Sequence, residues 1–219
     1  MMAMKKQPLW TSVEAPGTSS ADWQASGVSI DTRTLEKGDL FVALHGPNFD
    51  GHEFATDAEA RGAAAIMVDR DVPGLSIPVL RVDDTMAGLE DLARAARQRS
   101  NARIIAITGS VGKTGTKEAL NYVLSAQAPT AASIGNLNNQ WGLPLSLARM
   151  PKASLFGVFE MGMNHPGEIN PLSRLARPHV VIITTVEDVH SAHFQNVEEI
   201  ADAKAEIFAG MEPDGIAVL

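Results

Sequence analysis

Apolar and polar positions alternate with different spacings in the two halves of the chain. In the first half, short apolar runs bounded by turn residues predict strands at 28–30, 40–44, 64–68 and 79–82. Apolar residues three or four positions apart predict a helix over 54–61, ending at Gly62, and another over 85–99 with Asp84 as its N-cap. We therefore predict that residues 1–84 form a small, mixed α/β N-terminal domain.

From residue 103 onward, apolar strand patterns alternate regularly with helical patterns. Strands are predicted at 103–108, 155–160, 180–184 and 216–219, and helices at 113–125, 166–176 and 197–210. This alternation is typical of a parallel sheet with crossover helices. The second domain, residues 85–219, is expected to be incomplete at its C-terminus, because residue 219 falls inside an apolar strand pattern.

Composition excludes several classes of protein. The 219 residues are 45% apolar and 20% charged, as in globular domains, and the net charge of −8 leaves no basic stripe for a nucleic acid. The absence of cysteine excludes disulfides and thiolate metal sites. Neither a secretory signal nor a run of ~20 apolar residues occurs, so we expect a cytoplasmic protein without membrane insertion. We also expect a monomer.

A glycine-rich turn between the strand at 103–108 and the helix at 113–125 predicts a phosphate-binding loop. Its backbone N–H groups would surround an anion, Lys113 would contact the outer phosphates, and Thr114 would offer a hydroxyl to Mg²⁺. The predicted ATP contacts are Gly109, Ser110, Val111, Gly112, Lys113, Thr114 and Gly115. The spacing Gly-x-x-Gly-Lys-Thr is tighter than that of the commonest phosphate loop, because Ile107 occupies the position of the earlier glycine.

Three polar residues lie where the predicted sheet would place a ligand. Glu160 ends one strand and is a candidate Mg²⁺ ligand or a solvated strand end. His190 follows another strand and is either a loop residue or a ligand. Lys204 lies on a predicted helix, either on a solvated face or near the metals, where its ammonium would clash unless modified.

Polar loops elsewhere suit substrate oxygens as well as ordinary turns. The segment 135–144 is rich in amides, including Asn138 and Asn139, which either bridge ligand oxygens or serve as turn residues. In the first domain, the loops at 29–33 and 44–52 suit a phosphate-bearing ligand, although Asp31 and Arg33 have the alternative of pairing with each other.

Several blocks together resemble the Mur ligase family, and within it the MurF type. They are Asp31-Thr32-Arg33, residues 38–44, Asp50-Gly51-His52, residues 108–114, residues 135–139, residues 160–169 and residues 203–208. The first block is shared with the sister ligase that adds the third peptide residue. The paired asparagines and the Glu-Met-Gly-x-Asn-His block indicate the MurF type.

The resemblance implies an ATP-dependent, amide-bond-forming ligase of peptidoglycan precursor synthesis. ATP would phosphorylate the terminal carboxylate of UDP-N-acetylmuramoyl-tripeptide, and the amine of D-alanyl-D-alanine would attack the acyl phosphate. Lys113, Glu160, His190 and Lys204 would be catalytic, and two Mg²⁺ ions would be held by Thr114, Glu160, His190 and a Lys204 carbamate. Ile30, Thr32, Arg33, Pro47, Asn48, Phe49, Asn138 and Asn139 would bind the UDP-muramoyl-peptide.

The resemblance also sets the alternatives. Val111 replaces the Asn or Ser common at its position in the phosphate loop of the family, where backbone contacts matter most.

The family carries a C-terminal domain that closes over ATP and lies outside these 219 residues, so the chain alone is expected to be inactive. The alternatives are the sister ligase for the third residue and a nucleotide-binding module without ligase activity.

Overall fold

The computed structural model describes residues 8–188, 194 and 196–219, which divide into two compact units. The first unit ends at Ala95 and the second runs from Ala96 to Leu219. Among the described residues, no helix combines the length and the apolar composition that crossing a membrane requires.

The first unit is built around a mixed five-stranded sheet. The strands of the whole unit are β1 (Trp10–Thr11), β2 (Thr18–Ser19), β3 (Gln24–Ala25), β4 (Gly27–Ser29), β5 (Asp39–Val42), β6 (His45–Gly46), β7 (Phe49–Asp50), β8 (Ala65–Val68) and β9 (Val79–Arg81). A 3₁₀ turn (Gly51–Phe54) leads into α1 (Ala55–Ala60), and α2 (Thr85–Gln98) contains the boundary between the units. The strand order is β2-β9-β8-β5-β4, with only β2 antiparallel to its neighbour, while β1–β3 and β6–β7 form separate antiparallel pairs.

One hydrophobic cluster of this unit lies between the sheet and α1. Phe41 and Ile66 on the sheet pack with Ala55 and Ala58 of the helix. Small alanines on α1 allow the helix to approach the sheet closely, because larger side chains at these positions would overfill the core. Strands β4 and β5 pair in parallel, so the loops that follow them start from one edge of the sheet.

The second unit is a parallel sheet with helical crossovers. Its elements are β10 (Arg103–Thr108), α3 (Lys113–Ser125), β11 (Thr130–Ala132), α4 (Gly142–Ala148), β12 (Phe156–Glu160), α5 (Ile169–Ala176), β13 (Val180–Ile183), α6 (Val197–Ala205), a 3₁₀ turn (Glu206–Gly210) and β14 (Ile216–Val218). The strand order is β11-β12-β10-β13-β14, and every pair is parallel. Ile105, Ile107 and Val158 form a buried layer with Leu120 and Leu124 of α3.

The expected α/β architecture, with a mixed N-terminal domain and a parallel-sheet domain, is confirmed, but some elements differ. The helix expected over 166–176 begins at Ile169, since Gly167 adopts a left-handed φ of 89°. The helix expected over 197–210 ends at Ala205 and continues as a 3₁₀ turn. Strand β11 and helix α4 were not expected, because β11 is a short Thr-Ala-Ala run and α4 begins Gly-Leu-Pro.

Candidate active site

Three strands of the second unit end at the same edge of the sheet. The central strand β10 lies between β12 and β13, with Ile107 opposite Glu160 and Thr108 opposite Ile183. In parallel sheets, ligands bind beyond the carboxyl ends of the strands. We call this edge the carboxyl edge of the second unit, and it brings together the phosphate loop, the Glu160 carboxylate and the segment that follows β13.

The phosphate loop has a backbone that requires glycine at two points. Gly109 has a φ of 144° and Gly112 a φ of 88°, both in the region that L side chains rarely adopt. At Gly109, an added Cβ would lie 2.0 Å from the Thr184 hydroxyl oxygen. This close approach brings the loop against the segment that leaves β13.

The segment after β13 braces the loop through several hydrogen bonds. The Thr184 hydroxyl donates to the Val111 carbonyl (2.5 Å), and the Ser110 N–H donates to the Thr185 carbonyl (2.8 Å). The Ser110 hydroxyl also accepts from the Glu187 N–H at 2.9 Å. The two threonines therefore position the loop, a role that the sequence reasoning did not assign to them.

The start of α3 is arranged to receive an anion. Gly112 is the N-cap and has no side chain to bond the free N–H groups of the first turn. The Lys113 ammonium bends back over the loop to the carbonyls of Gly109 (2.7 Å) and Ser110 (3.3 Å). Burial lowers the pKa of Lys113, while the Glu160 carboxylate opposes this effect. N–H groups and an ammonium thus converge on one place, as phosphate binding requires.

Glu160 is held at the centre of the site by two side chains. The residue is 2% exposed, its Oε2 accepts from the Thr114 hydroxyl (3.0 Å), and its Oε1 accepts from the Asn138 amide (2.9 Å). Carboxylate and hydroxyl oxygens are ligands that Mg²⁺ prefers. The pairing of Thr114 with a buried carboxylate therefore fits a cation at this position and does not fit a solvated strand end.

Lys204 is buried on α6 rather than on a solvated face of the helix. It is 1% exposed, and burial, reinforced by the nearby Lys113 charge, lowers its pKa to about 8. The structure therefore brings Lys204 into the neighbourhood of the phosphate-loop lysine. His190, the fourth predicted catalytic residue, lies outside the described residues.

A carboxylate next to Lys204 ties its helix to the start of α5. Glu206 accepts from the backbone N–H groups of Gly167 (2.6 Å), Ile169 (3.1 Å) and Asn170 (3.0 Å). A negative charge at a helix N-terminus satisfies its free N–H groups and interacts well with the helix dipole. Glu206 therefore fixes the chain two residues beyond Lys204.

The two asparagines predicted to bind substrate have contacts within the protein. Asn138 bonds Glu160, and its carbonyl accepts from the Gly162 N–H at 2.8 Å. The Asn139 side-chain oxygen accepts from the N–H groups of Trp141 (3.2 Å) and Gly142 (2.9 Å), at the start of α4. Both residues therefore shape the site, and substrate contact by either one stays a prediction.

The substrate residues predicted in the first unit fall on two loops at the same edge of its sheet. Ile30, Thr32 and Arg33 follow β4, while Pro47, Asn48 and Phe49 form the exposed tip of the β6–β7 hairpin beyond β5. Arg33 forms a two-point ion pair with Asp31, with Nη2 to Oδ2 at 2.6 Å. Thr32 is buried and hydrogen-bonds Asp57, whose pKa it lowers. Of the two alternatives for Asp31 and Arg33, the structure shows the pairing.

Lys117 is a buried charged residue that the sequence motifs do not indicate. It is fully buried on α3, and its ammonium donates to the carbonyls of Ser133 (2.9 Å) and Gly135 (3.0 Å). A signal existed in the sequence, since Lys117 lies three residues after Thr114 and so shares its helix face. Helical spacing alone does not distinguish a buried lysine from a solvated one.

Comparison with known proteins identifies the family of both units. Residues 107–219 match the Mur ligase middle domain, and residues 24–97 match the Mur ligase family catalytic domain. The UDP-N-acetylmuramoyl-tripeptide–D-alanyl-D-alanine ligase of Bacillus subtilis is 43% identical over 194 residues, which are 88% of this chain and 42% of that protein.

Two solved structures are also similar. MurF from Acinetobacter baumannii superposes with a TM-score of 0.82 at 35% identity, over 96% of this chain and 49% of that one. MurF from Thermotoga maritima in complex with ADP superposes with a TM-score of 0.74 at 32% identity, over 87% of this chain and 44% of that one. The chain thus spans less than half the length of these relatives.

Proposed function

This chain belongs to the Mur ligase family, and we propose that it supplies the nucleotide site and the UDP-sugar-peptide site of an ATP-dependent ligase. The ligase would join D-alanyl-D-alanine to UDP-N-acetylmuramoyl-tripeptide. One observation carries this proposal: the phosphate loop, buried Glu160 and buried Lys204 belong to one site at the carboxyl edge. Phosphate binding alone requires neither a buried carboxylate nor a buried lysine on α6.

The phosphate loop would bind the ATP phosphates. The N–H groups at the start of α3 face no capping side chain, and Lys113 would exchange its carbonyl partners at Gly109 and Ser110 for phosphate oxygens. An ammonium held beside the transferring phosphate stabilises charge that moves in the transition state. The ADP bound in the similar Thermotoga maritima structure supports this assignment.

Magnesium fits the oxygen donors around Glu160. Thr114 and Glu160 would hold one ion, and His190 with a carbamate on Lys204 would complete a second site. When bound, Mg²⁺ neutralises phosphate charge during transfer. The described part of the donor set is hard oxygen, consistent with this ion.

The surroundings of Lys204 suit a carbamate. The Lys204 ammonium would first lose one proton, and the neutral amine nitrogen would then attack the carbon of CO₂, forming an N–C bond and releasing a second proton. The cation thereby becomes an anion. Only the neutral amine can react, and burial together with Lys113 brings the pKa of Lys204 to about 8. The anion would then relieve the repulsion between Lys204 and Lys113.

The loops after β4 and β5 would bind the UDP-muramoyl-peptide. Ile30, Thr32 and Arg33 on one loop and the exposed residues 47–49 on the hairpin start from neighbouring parallel strands. The peptide's terminal carboxylate would attack the ATP γ-phosphate, releasing ADP, and the D-alanyl-D-alanine amine would then displace phosphate. The cytoplasmic location and the monomeric state stay predictions.

Lys113→Ala tests the nucleotide site. In a full-length ligase that contains this chain, Lys113→Ala should abolish tripeptide-dependent phosphate release. The reason is that a contact between an ammonium and the transferring phosphate stabilises the transition state by ~3–4 kcal/mol. Circular dichroism should show an intact fold. Lys152→Ala, an exposed lysine of the same unit, is the matched control and should retain turnover.

Unchanged turnover of Lys113→Ala would contradict the assignment of the loop. Substrate choice is tested separately, by supplying either D-alanyl-D-alanine with the tripeptide or a third-position amino acid with the dipeptide. Product with the second pair alone would identify the sister ligase instead. Nucleotide binding without product from either pair would favour the module without ligase activity.

A further inference from the structure

Lys117 is a charged side chain that the proposed reaction does not use. Its ammonium is fully buried and contacts the Ser133 and Gly135 carbonyls at 2.9 and 3.0 Å, with the Glu118 carboxylate at 2.9 Å on the solvent side. Burying a cation is unfavourable unless partners replace its water shell. A neutral side chain would fill the same space, so the charge at this position calls for a reason.

The backbone that Lys117 contacts leads directly to Glu160. The Ser133 hydroxyl accepts from the Glu160 N–H at 3.3 Å, and Asn138, three residues after Gly135, donates to Glu160 Oε1 at 2.9 Å. The Asn138 carbonyl also accepts from the Gly162 N–H. Residues 133–138, which we call the amide segment, therefore contact the end of β12 on both sides of the carboxylate.

Hydrogen bonds link α3 to Glu160 directly and also through the amide segment. Thr114 bonds one oxygen of Glu160, Asn138 bonds the other, and Lys117 anchors the amide segment to the same helix one turn after Thr114. With Oε1 occupied by Asn138, Oε2 is directed to Thr114. Partners of this kind, which orient a metal-binding carboxylate, strongly affect metal affinity.

We propose that Lys117 is a positioning residue that anchors the amide segment and thereby orients Glu160 for the magnesium ion of the nucleotide. This inference rests on the proposed function of the carboxyl edge. The Lys117 ammonium attracts two carbonyls of the amide segment that face α3. Only when both carbonyls are bound does the segment place Asn138 correctly against Glu160. Lys117 itself touches neither nucleotide nor substrate.

The first test measures ATP affinity of the 219-residue chain with and without Mg²⁺ by calorimetry. Lys117→Met keeps the length of the side chain and removes the charge. The Mg²⁺-dependent gain in affinity should fall by about 10-fold, as is typical for a lost outer partner of a metal ligand. Affinity without Mg²⁺ should not change. Glu118→Gln, which alters only the exposed partner, is the matched control and should behave as wild type.

A second readout needs neither metal nor nucleotide. Trp141 follows the amide segment and lies at the start of α4, whereas Trp10 and Trp23 belong to the first unit. In protein labelled with 5-fluorotryptophan, Lys117→Met should shift the fluorine resonance of Trp141 and leave the other two in place. Trp141→Phe assigns the resonance.

The outcomes separate this inference from the proposed function. Wild-type chain that shows no Mg²⁺-dependent ATP binding would refute the proposed nucleotide site. If the wild-type chain binds ATP and Lys117→Met keeps the same Mg²⁺-dependent gain in ATP affinity, the positioning role is overturned, whether or not the Trp141 resonance shifts. If the gain in affinity falls but the Trp141 resonance does not shift, the route through the amide segment is overturned. If Lys117→Met does not fold, Lys117→Arg decides: a reduced gain with a shifted Trp141 supports the role, and any other result overturns it.

Discussion

The three glycines of the phosphate loop should respond to alanine in three different ways. At Gly109, a Cβ would meet the Thr184 hydroxyl at 2.0 Å and the backbone nitrogens of Thr184 and Thr185 at 3.0 and 3.1 Å, on a φ of 144°. The side chain could rotate away, but the two nitrogens cannot. Overpacking and backbone strain together predict a loss of about 2–5 kcal/mol in the free energy of unfolding.

Gly112 and Gly115 provide the matched comparisons. At Gly112 the nearest atom to a Cβ is 3.7 Å away, so only its φ of 88° is unfavourable, and Gly112→Ala should cost about 1–2 kcal/mol. Gly115 lies inside α3 with nothing within 4 Å of a Cβ, so alanine should stabilise the helix by about 0.5–1 kcal/mol. Because this open space adjoins the proposed phosphate site, Gly115→Ala should nevertheless weaken ATP binding.

Urea unfolding of the three variants, followed by tryptophan fluorescence and circular dichroism, measures the order of stability. ATP titration of the same samples measures binding. Equal losses at Gly109 and Gly112 would refute the argument from the Thr184 contact. A Gly115→Ala variant that binds ATP as tightly as wild type would refute the placement of the phosphates beside that face of α3.

Three further predictions concern the substrate loops, Lys204 and a buried histidine. UDP-N-acetylmuramoyl-tripeptide at about 100 times its dissociation constant should add roughly 2.7 kcal/mol to stability in a thermal-shift titration. Phe49→Ala should reduce this response, and a folded chain that shows none would contradict the first-unit site. Lys204→Ala in a full-length version should lose turnover and regain part of it with short carboxylic acids, whereas full turnover at every bicarbonate concentration would exclude the carbamate. Burial lowers the pKa of His52 in the folded protein below its ordinary 6.5, against the opposing effect of Asp69. Between the folded pKa and 6.5, His52 therefore binds more protons in the unfolded chain than in the folded one. The free energy of unfolding should therefore rise with pH up to about 6.5 and then level off, and His52→Gln should lose this component; an identical pH profile in that variant would contradict it.

Sequence patterns predicted the second unit well because its elements repeat a simple alternation. Strand β10 and helix α3 occur at the expected bounds, since an apolar β-branched run, a glycine turn and a helical pattern agree locally. Strand β11 has no such run, and its pairing with β12 depends on tertiary contacts. Helix α4 starts with glycine and proline and is stabilised by burial of all seven residues.

The candidate site was predictable only for residues with a distinctive local pattern. The phosphate loop has such a pattern, and Glu160 follows from its place at the end of a strand. The burial of Lys117 and the bracing of the loop by Thr184 depend on pairing between segments 16 or more residues apart in sequence. Such contacts leave no periodic signal in the chain.

Strand β14 has a consequence for handling the protein in solution. It lies at one edge of its sheet, and among the described strands it pairs only with β13. Ile216 and Val218 are 61% and 47% exposed, so within the described residues the outer edge of β14 is a row of backbone hydrogen-bonding groups flanked by apolar side chains. Such a row is a template for strand addition between molecules. Concentrated samples of this chain should therefore aggregate through β14, and a lysine in place of Val218 should improve their solubility.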